Sequence, residues 1–455
     1  MDRSPGGDPM TRVAIVGGGA AGIGAAKVLV DAGCEVTIVE SAPRLGGNCV
    51  GVEVRDAAGV VHRIDAGVSD FNRGTFHEVS RLIDGLGVPT RPISNDTDFV
   101  AADGRSRLSC RDGLWTFGPE VRDPERLRRE IDAFRARAVE ALDDPRFAAW
   151  SVERYLGYLG SSREFRRLYL YPRAMGCFPM PDGDPRRFSI LALLQFWNAH
   201  GLVGSVPADR HTVVGGMHRY VEAYSNWFRN RGGRLLCGAR VASIARRSGR
   251  VEVCTVDRAG RARTLEADHV ILACHAHQAL RLLERPSLGE QRLLGRFACQ
   301  RARLVVHRDE RLLGADRECW GAFNYLVPAG DWPRVRPTIT FFPNRLASLP
   351  AEVPDTFVTM NPAREPRADR VLADRSFVHP ILDARSAELA RRVETLQGEQ
   401  RTWFAGAYLV TPAVHESAMV SGLRAAHGLL RQEGGSDAVR SSSTALPPTG
   451  WQDAA

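Results

Sequence analysis

The chain has 455 residues and a mass of 49.9 kDa, a length that suits two or three domains. Its 44% apolar and 25% charged residues are typical of a globular protein, and the longest apolar runs fall well short of 18 residues, so we expect no transmembrane segment. The net charge is +8, but Lys27 is the only lysine and the arginines are scattered without interleaved aromatics, which argues against nucleic-acid binding.

The polar N-terminal residues and the cysteines predict a cytoplasmic protein. Residues 1–11 lack the apolar core of a signal peptide. The nine cysteines are odd in number and show no C-x-x-C spacing, which fits neither a disulfide framework nor a zinc site. His275 and His277 have no third ligand nearby in the sequence, so we predict no metal site. Residues 1–10 and 434–455 are predicted to be disordered because they are rich in Gly, Ser, Pro and Asp.

The first predicted elements form a strand, a glycine turn, a helix and a second strand. The apolar run Val13–Val16 precedes a G-x-G-x-x-G pattern whose glycines are Gly17, Gly19 and Gly22. A helix over 20–32 and a strand over 35–39 follow, and Glu40 ends that strand. This context predicts a dinucleotide-binding βαβ unit.

Each part of this unit has a physical role. Gly17 permits the tight turn, Gly19 lets the backbone approach a pyrophosphate, and Gly22 lets the helix pack on the strand. The free N–H groups of the helix start, at Ala20 and Ala21, are expected to bind the phosphates, and Glu40 to accept from the ribose hydroxyls.

The segment after Glu40 distinguishes FAD from NAD. It reads Ser41-Ala-Pro-Arg44-Leu-Gly46-Gly47-Asn48, with an arginine just before a pair of glycines. This resembles the second dinucleotide motif of the flavin amine oxidase and phytoene desaturase superfamily. The resemblance implies FAD as the cofactor, with Ser41, Arg44, Gly46, Gly47 and Asn48 in its site.

The remaining elements predict a fold built from interrupted pieces. Strand and helix patterns resume at Thr212–Met217 with the helix 218–228, at 235–237, at a hairpin around Ser248-Gly249, at the buried strand 269–274, and at 402–408 with a helix from 415 to about 430. We predict a Rossmann-type FAD-binding domain over 11–92, 207–286 and 385–433, and an inserted α+β substrate domain over 93–206 and 287–384. An amphipathic helix, Glu125 to Leu142, belongs to the second domain.

Most of the chain resembles one branch of that superfamily, the bacterial predicted NAD/FAD-binding amine-oxidase-like proteins. The matching segments are Asp70–Phe76, Leu170–Pro172, Asn198–Leu202, Val213–Gly216, Phe323–Tyr325, Phe357–Pro362 and Trp403–Tyr408. The resemblance adds Val241, Gly406, Ala407, Ala418 and Met419 to the cofactor site. One block departs from the family pattern: a glycine-rich turn and His-Glu-Asp-Gly are replaced by Val410–Ala413 and His415-Glu416-Ser417-Ala418.

The candidate catalytic residues are His415 and Glu416, by resemblance, with His200 and His211 as further acid–base candidates. Lys27 lies in the helix behind the pyrophosphate, so it cannot hold a water at flavin N5 as lysine does in many amine oxidases of this fold. The second domain supplies the aromatic residues expected around a hydrophobic substrate. They are Tyr169, Tyr171, Phe178, Phe196, Trp197, Trp320, Phe323, Tyr325, Phe341 and Phe342.

Three functions remain open. The first is an FAD-dependent dehydrogenase, or desaturase, that removes a hydride from a small hydrophobic or carrier-linked acyl or polyene substrate lying between the flavin and the second domain. The second is an amine or amino-acid oxidase, which an arginine clamp for an anionic substrate would favour. The third is a non-redox flavin-dependent isomerase. The substrate, the electron acceptor and the oligomeric state stay open.

Overall fold

The computed structural model describes residues 10–101, 105–177, 184–203, 208–327, 330, 337–381 and 385–434. The predicted disorder of 1–10 and 434–455 falls, except for Met10 and Gly434, outside these residues, as does Phe178. The strands are β1 Arg12–Val16, β2 Glu35–Glu40, β3 Gly51–Arg55, β4 Val61–Asp65, β5 Phe71–Asn72, β6 Thr90–Pro92, β7 Thr97–Ala101, β8 Ser106–Arg111, β9 Leu114–Phe117, β10 Arg210–Val213, β11 Arg234–Cys237, β12 Arg240–Arg247, β13 Arg250–Val256, β14 Ala262–Ala267, β15 His269–Leu272, β16 Cys299–His307, β17 Phe323–Val327, β18 Thr338–Phe341, β19 Phe357–Met360, β20 Val371–Pro380 and β21 Thr402–Phe404. The α-helices are α1 Ala20–Asp31, α2 His77–Gly85, α3 Pro124–Leu142, α4 Val152–Tyr158, α5 Arg163–Phe165, α6 Tyr171–Cys177, α7 Ile190–Ala199, α8 His218–Asn230, α9 Ala276–Leu282, α10 Leu288–Leu294, α11 Pro343–Leu346, α12 Ser386–Val393 and α13 His415–Gln432.

The described residues pack into two compact units. Unit 1 takes them from Met1–Gly47, Val221–Phe297 and Ala387–Pro448, and unit 2 from Asn48–Tyr220 and Ala298–Ser386. Packing therefore groups 48–92 and 208–220 with unit 2, whereas the sequence predicts that they belong to the FAD-binding domain. The functional boundaries stay a prediction.

Unit 1 is built on a parallel sheet in the order β11-β2-β1-β15-β21. Its central strand β1 reads Val-Ala-Ile-Val after Arg12, and these four residues are buried. A continuous apolar run suits a strand covered on both faces, as helices cover parallel sheets. An antiparallel sheet, β12-β13-β14, completes the unit; the hairpin of β12 and β13 is confirmed, while the sequence analysis missed β14.

Helices α1 and α13 pack directly against each other in unit 1. A Cβ on Gly422 would lie 1.9 Å from the carbonyl oxygen of Ala21, and one on Gly24 would lie 2.8 Å from that of Met419. Side chains at either position would push the helices apart. The two glycines therefore bring the start of α13 close to the start of α1.

Unit 2 is built on a mostly antiparallel sheet in the order β20-β16-β19-β18-β17-β7-β8-β9. β17 and β7 pair in parallel, and the other pairs are antiparallel wherever a register is assigned. The predicted amphipathic helix is α3, which buries Leu127, Ile131 and Phe134. Its N-cap Asp123 accepts from the N–H of Arg126 at 2.9 Å. Among the described residues, no helix is long and apolar enough to cross a membrane.

Candidate functional site

The glycine turn between β1 and α1 is closely packed. Gly17 has φ +108°, and a Cβ there would lie 2.3 Å from the carbonyl oxygen of Ala273, just beyond β15. A Cβ on Gly22 would lie 2.0 Å from the carbonyl oxygen of Gly17. Only glycine fits at these two positions, as the motif predicts.

The N-terminus of α1 is suited to an anion. Gly19 is the N-cap, without a side-chain cap, and no acidic residue stands in the first turn. The first intrahelical bond runs from the N–H of Ile23 to the carbonyl of Gly19, which leaves the earlier N–H groups without helical acceptors. A Cβ on Gly19 would meet only the Cα of Gly47, at 3.9 Å. Open space beside free N–H groups fits a phosphate.

The second glycine pair lies against the first turn. The N–H of Gly46 donates to the carbonyl of Gly18 at 2.7 Å, and a Cβ on Gly47 would lie 3.2 Å from the Cα of Gly19. Arg44 is exposed in the same turn. The structure thus brings together two glycine motifs that are distant in the sequence: Gly46 lies 27 residues after Gly19. Asn48, also exposed, is the first residue of unit 2.

The Glu40 carboxylate accepts hydrogen bonds from both turns, the one after β1 and the one after β2. One carboxylate oxygen, Oε2, accepts from the N–H of Gly18 at 2.7 Å. The other, Oε1, accepts from the N–H of Ala42 at 2.7 Å and from the Ser41 hydroxyl at 3.1 Å. The carboxylate therefore stands at the edge of the turn, where the sequence analysis expects a ribose.

The start of β12 lies beside the end of β2. The N–H groups of Gly238 and Ala239 donate to the carbonyls of Ala42, at 2.7 Å, and Glu40, at 3.1 Å. Val241, which is buried, lies two residues after Ala239. The site assigned to Val241 by resemblance is thus next to the Glu40 segment.

The C-terminal piece of unit 1 adds a turn and a helix start. Gly406 follows β21 and has φ +154°, and its N–H donates to the hydroxyl of Ser421 at 2.8 Å. That hydroxyl in turn donates to the carbonyl of Ala418 at 2.7 Å. Ser421 therefore fixes the turn of Gly406 and Ala407 against the first turns of α13. Ser421 could not be predicted from the sequence, since no motif marks it.

His415 and Glu416 are the first two residues of α13 and are both half-buried. Burial lowers the pKa of His415 to about 4, so its imidazole is neutral at pH 7 and a weak base. The preceding turn holds Ala413 at φ +61°, a conformation that glycine adopts more readily. Where the family pattern has a glycine-rich turn, this chain therefore has Ala413 in the left-handed backbone conformation.

The other acid–base candidates lie in unit 2. The Nδ1 of His200 is 2.8 Å from the carbonyl oxygen of Phe196, and burial lowers the pKa of His200 to about 4. The Nε2 of His211 is 2.9 Å from a carboxylate oxygen of Asp209. No group of three or more His, Cys, Asp or Glu side chains that could hold a metal ion occurs in the described part of the chain.

Several of the predicted aromatic residues form one buried cluster in unit 2. Tyr169 contacts Trp197 edge-on, with ring centres 6.1 Å apart, and Tyr325 stacks on Phe99 at 4.7 Å. Tyr169 and Phe99 also meet, at 6.2 Å. Trp320 and Phe342 belong to a separate cluster with Phe357. Unit 2 therefore contains a continuous aromatic interior around Tyr169, which we call the aromatic cluster: Phe99, Tyr169, Trp197 and Tyr325.

Comparison with protein families identifies the chain. The model of a family described as flavin containing amine oxidoreductase matches residues 20–337, more than two thirds of the chain. Among curated proteins, hydroxyneurosporene desaturase of Cereibacter sphaeroides is 27% identical over 300 residues, or 57% of this chain and 55% of that protein. (S)-6-hydroxynicotine oxidase of Paenarthrobacter nicotinovorans is 34% identical over 85 residues, 19% of this chain and 20% of that protein. The match thus spans about half the length of the first relative and a fifth of the second.

Solved structures share the fold. Cyclohexylamine oxidase from Brevibacterium oxydans IH-35A superimposes with a TM-score of 0.65 at 15% identity, covering 94% of this chain and 100% of that one. A fatty acid isomerase from P. acnes gives a TM-score of 0.65 at 15% identity, covering 93% and 98%. At this identity the likeness shows the α/β fold alone, and it confirms the predicted fold class. Because the family model spans most of the chain and the fold agrees with it, the protein belongs to the flavin containing amine oxidoreductases, FAD-dependent oxidoreductases of the amine oxidase and desaturase superfamily.

Proposed function

We propose that the protein is an FAD-dependent dehydrogenase that desaturates a hydrophobic acyl or polyene substrate by hydride transfer to the flavin. The observation that carries the proposal is the concentration of large aromatic side chains in unit 2, the aromatic cluster among them. Large apolar rings favour an apolar substrate. The 27% identity to hydroxyneurosporene desaturase supports the same substrate class.

Different residues would contact different parts of FAD. The N–H groups of Ala20 and Ala21 would hold the pyrophosphate, and the Glu40 carboxylate would accept from the ribose hydroxyls. Ser41, Arg44, Gly46, Gly47 and Asn48 would line the same end of the cofactor, and Val241, Gly406, Ala407, Ala418 and Met419 would complete the site. Bound FAD supplies the hydride acceptor.

Formation of a C=C bond also releases a proton, for which Glu416 and His415 are the candidate acceptors. Burial lowers the pKa of His415 to about 4, so its imidazole is a weaker base than that of an ordinary histidine. Both residues stand at the start of α13, whose N-terminus favours negative charge nearby. The expected role of α13 is to stabilise the reduced flavin.

The position of Lys27 supports a dehydrogenase over a lysine-dependent amine oxidase. Its Nζ lies 2.6 Å from a carboxylate oxygen of Asp31 and 5.3 Å from the ring centre of Trp227. This single lysine is thus bound within α1 and against α8. The alternative of an amine or amino-acid oxidase rests on the short match to (S)-6-hydroxynicotine oxidase and requires a lysine-independent mechanism.

Anaerobic flavin bleaching tests the proposal. The purified FAD-loaded protein is mixed with polyenes, acyl chains and acyl thioesters, and with primary amines and amino acids, while the visible spectrum is recorded. We expect bleaching by a member of the apolar set. Rapid bleaching by amines alone, with peroxide formed on admitting oxygen, would replace the proposal with the amine oxidase alternative. Substrate turnover with no net bleaching would identify the isomerase.

Replacement of His415 by Ala tests its part in the reaction. If the imidazole accepts the proton, His415→Ala slows flavin reduction by a substrate of the apolar set while FAD remains bound, because the residue is not expected to contact the nucleotide. Stopped-flow absorbance gives the reduction rate, and the bound-flavin ratio is the control. Reduction at the wild-type rate would assign the proton to Glu416 or to another group.

A further inference from the structure

A crevice of about 240 Å³ lies in unit 1 between α13 and the 3₁₀ turn Glu394–Leu396. Helix α13 lines it from Ser421 to Arg431, a length of about 15 Å along the helix axis. The facing wall consists of Glu394, Gln397, Trp403, Leu409 and Val410. None of these residues belongs to the predicted cofactor site, so the crevice is a separate feature of the unit.

The walls of the crevice are fixed by packing and by hydrogen bonds. A Cβ on Gly428 would lie 2.5 Å from the indole ring of Trp403, so the ring packs directly on α13. A Cβ on Gly398 would lie 2.9 Å from the same ring. The side-chain amide of Gln397 donates to the carbonyl of Phe404 at 2.9 Å and accepts from its N–H at 2.8 Å. Walls that are held in place without a ligand lose little conformational entropy when one binds.

Charges of opposite sign line the crevice. Arg431 contributes a guanidinium from α13, and Glu394 contributes a carboxylate from the facing turn. Within the described part of the chain, neither group forms an ion pair. Arg424 adds a second positive charge from α13. Partial burial raises the pKa of Glu394, and the charges of Arg424 and Arg431 oppose this rise, so both guanidinium groups are close enough to act on the carboxylate.

We propose that the crevice binds an α-amino acid with an apolar side chain. The carboxylate of the amino acid pairs with the guanidinium of Arg431, close to Arg424, and its ammonium pairs with Glu394. Its side chain lies on Leu409 and Val410. The volume of about 240 Å³ is below the range of about 300–1,000 Å³ that is usual for drug-sized ligands, which suits one amino acid.

Simpler ions match these charges less well. A monocarboxylate would pair with Arg431 but would bring its negative charge close to Glu394. An amine would pair with Glu394 but would leave Arg431 without an acceptor and add a third positive charge. A zwitterion brings each charge of the crevice together with its opposite, and this selects amino acids over either ion.

Ser421 connects the crevice to the cofactor site. It lines the crevice, and its hydroxyl accepts from the N–H of Gly406 at 2.8 Å and donates to the carbonyl of Ala418 at 2.7 Å. A ligand that contacts both α13 and Leu409 therefore stabilises the arrangement that Ser421 fixes. The amino acid is thus an effector that raises FAD affinity, and FAD raises its affinity by the same factor. This step rests on the proposed function, in which Gly406 and Ala418 bind FAD.

Calorimetric titration of the FAD-loaded protein with L-phenylalanine tests the site. The analogues 3-phenylpropionate and 2-phenylethylamine lack the ammonium and the carboxylate, respectively, and should bind much more weakly. Glu394→Gln and Arg431→Met should each weaken L-phenylalanine binding roughly 5- to 20-fold, less than for a buried charged pair because both residues keep contact with solvent. Glu399→Gln and Arg391→Met change exposed residues outside the crevice, so these matched controls should bind as the wild type does.

Titration of apoprotein with FAD, with and without saturating L-phenylalanine, tests the coupling. The dissociation constant of FAD should fall about fivefold or more when the amino acid is present. Ser421→Ala removes the hydroxyl that joins the turn to α13, so this ratio should approach one. A merely structural role of Ser421 would lower FAD affinity under both conditions and leave the ratio as it is in the wild type.

Three results would overturn the site: no binding of L-phenylalanine, equal binding of an analogue, or wild-type binding in both Glu394→Gln and Arg431→Met. An FAD dissociation constant that does not respond to L-phenylalanine would refute the coupling. Anaerobic bleaching of the flavin by L-phenylalanine at the same rate in wild type and Glu394→Gln would show binding as a substrate instead and support the amino-acid oxidase alternative. Failure of every apolar chain to bleach the flavin would refute the dehydrogenase and leave the titrations unaffected.

Discussion

Some contacts of the site residues in unit 1 could be predicted from local sequence and others could not. Glu40 was predicted from its distance after the glycine motif, and it also accepts from the N–H of Gly18, which no spacing rule reveals. Ser421 fixes the Gly406 turn from 15 residues away, a contact that depends on how α13 folds back. The sequence thus supports prediction of residues inside a local motif, but not of residues that meet through the tertiary fold.

Glu40→Ala should reduce FAD affinity by about one to two decades. The ribose hydroxyls lose a charged acceptor, worth roughly 1.5–3 kcal/mol, and the turn loses the bond to Gly18. The dissociation constant is measured by titrating apoprotein with FAD. Glu35→Ala, at the exposed opposite end of β2, is the control and should bind normally. Unchanged affinity in Glu40→Ala would mean that another group holds the ribose.

Asp65 should make unit 2 less stable as the pH rises. Burial, followed by the charge of Asp70, raises its pKa to about 7 from 3.8, although the N–H of Met217 bonds to the carboxylate. A raised acid pKa means that the folded state binds more protons than the unfolded state between about pH 4 and pH 7. The stability contributed by protonated Asp65 is therefore present below pH 4 and is lost as the pH approaches 7.

Asp65→Asn tests this pH dependence, because its carboxamide oxygen still accepts from Met217 but does not titrate. The melting temperature of Asp65→Asn minus that of the wild type should increase between pH 5 and pH 8. A difference that stays constant over this range would show that Asp65 does not titrate there. Asp56→Asn, in the same unit, is a suitable comparison because its pKa is lowered rather than raised.

At the scale of elements, periodicity predicted several helices and strands of the nucleotide-binding pieces and the helix α3. The predicted helix 218–228 is α8, the predicted helix beginning at 415 is α13, and the hairpin around Ser248-Gly249 joins β12 to β13. The third strand β14 was missed because it is mostly exposed and carries little apolar signal. Strand β14 therefore shows that an exposed element leaves little periodic signal in the sequence.

Gly422→Ala should separate α13 from α1. The new methyl group would overlap the carbonyl oxygen of Ala21, and overpacking of this kind costs about 1–3 kcal/mol. We expect a lower melting temperature and weaker FAD binding, since Ala21 belongs to the nucleotide turn. Gly157→Ala in α4 is the matched control: a Cβ there meets nothing within 4 Å, so stability should rise slightly. An equal response of the two variants would contradict the tight contact.

At the scale of the whole molecule, the family and the fold class could be predicted from the glycine motifs, since their spacing reflects nucleotide geometry that many sequences share. The division of the chain was harder. Residues 48–92 were predicted to belong to the FAD-binding domain, whereas packing groups them with unit 2.

The interrupted path of the chain through unit 1 also sets an order in time during synthesis. β1 and β2 leave the ribosome before β15, their neighbour in the sheet, which follows more than 200 residues later, and β21 and α13 come after β15. The glycine turn is therefore translated early, but α13, which packs against α1 at Gly422, is translated much later. A nascent chain released before residue 402 would carry the whole nucleotide motif and still lack the parts of unit 1 that complete its cradle. FAD is thus expected to bind only after α13 has been synthesised and has packed beside α1.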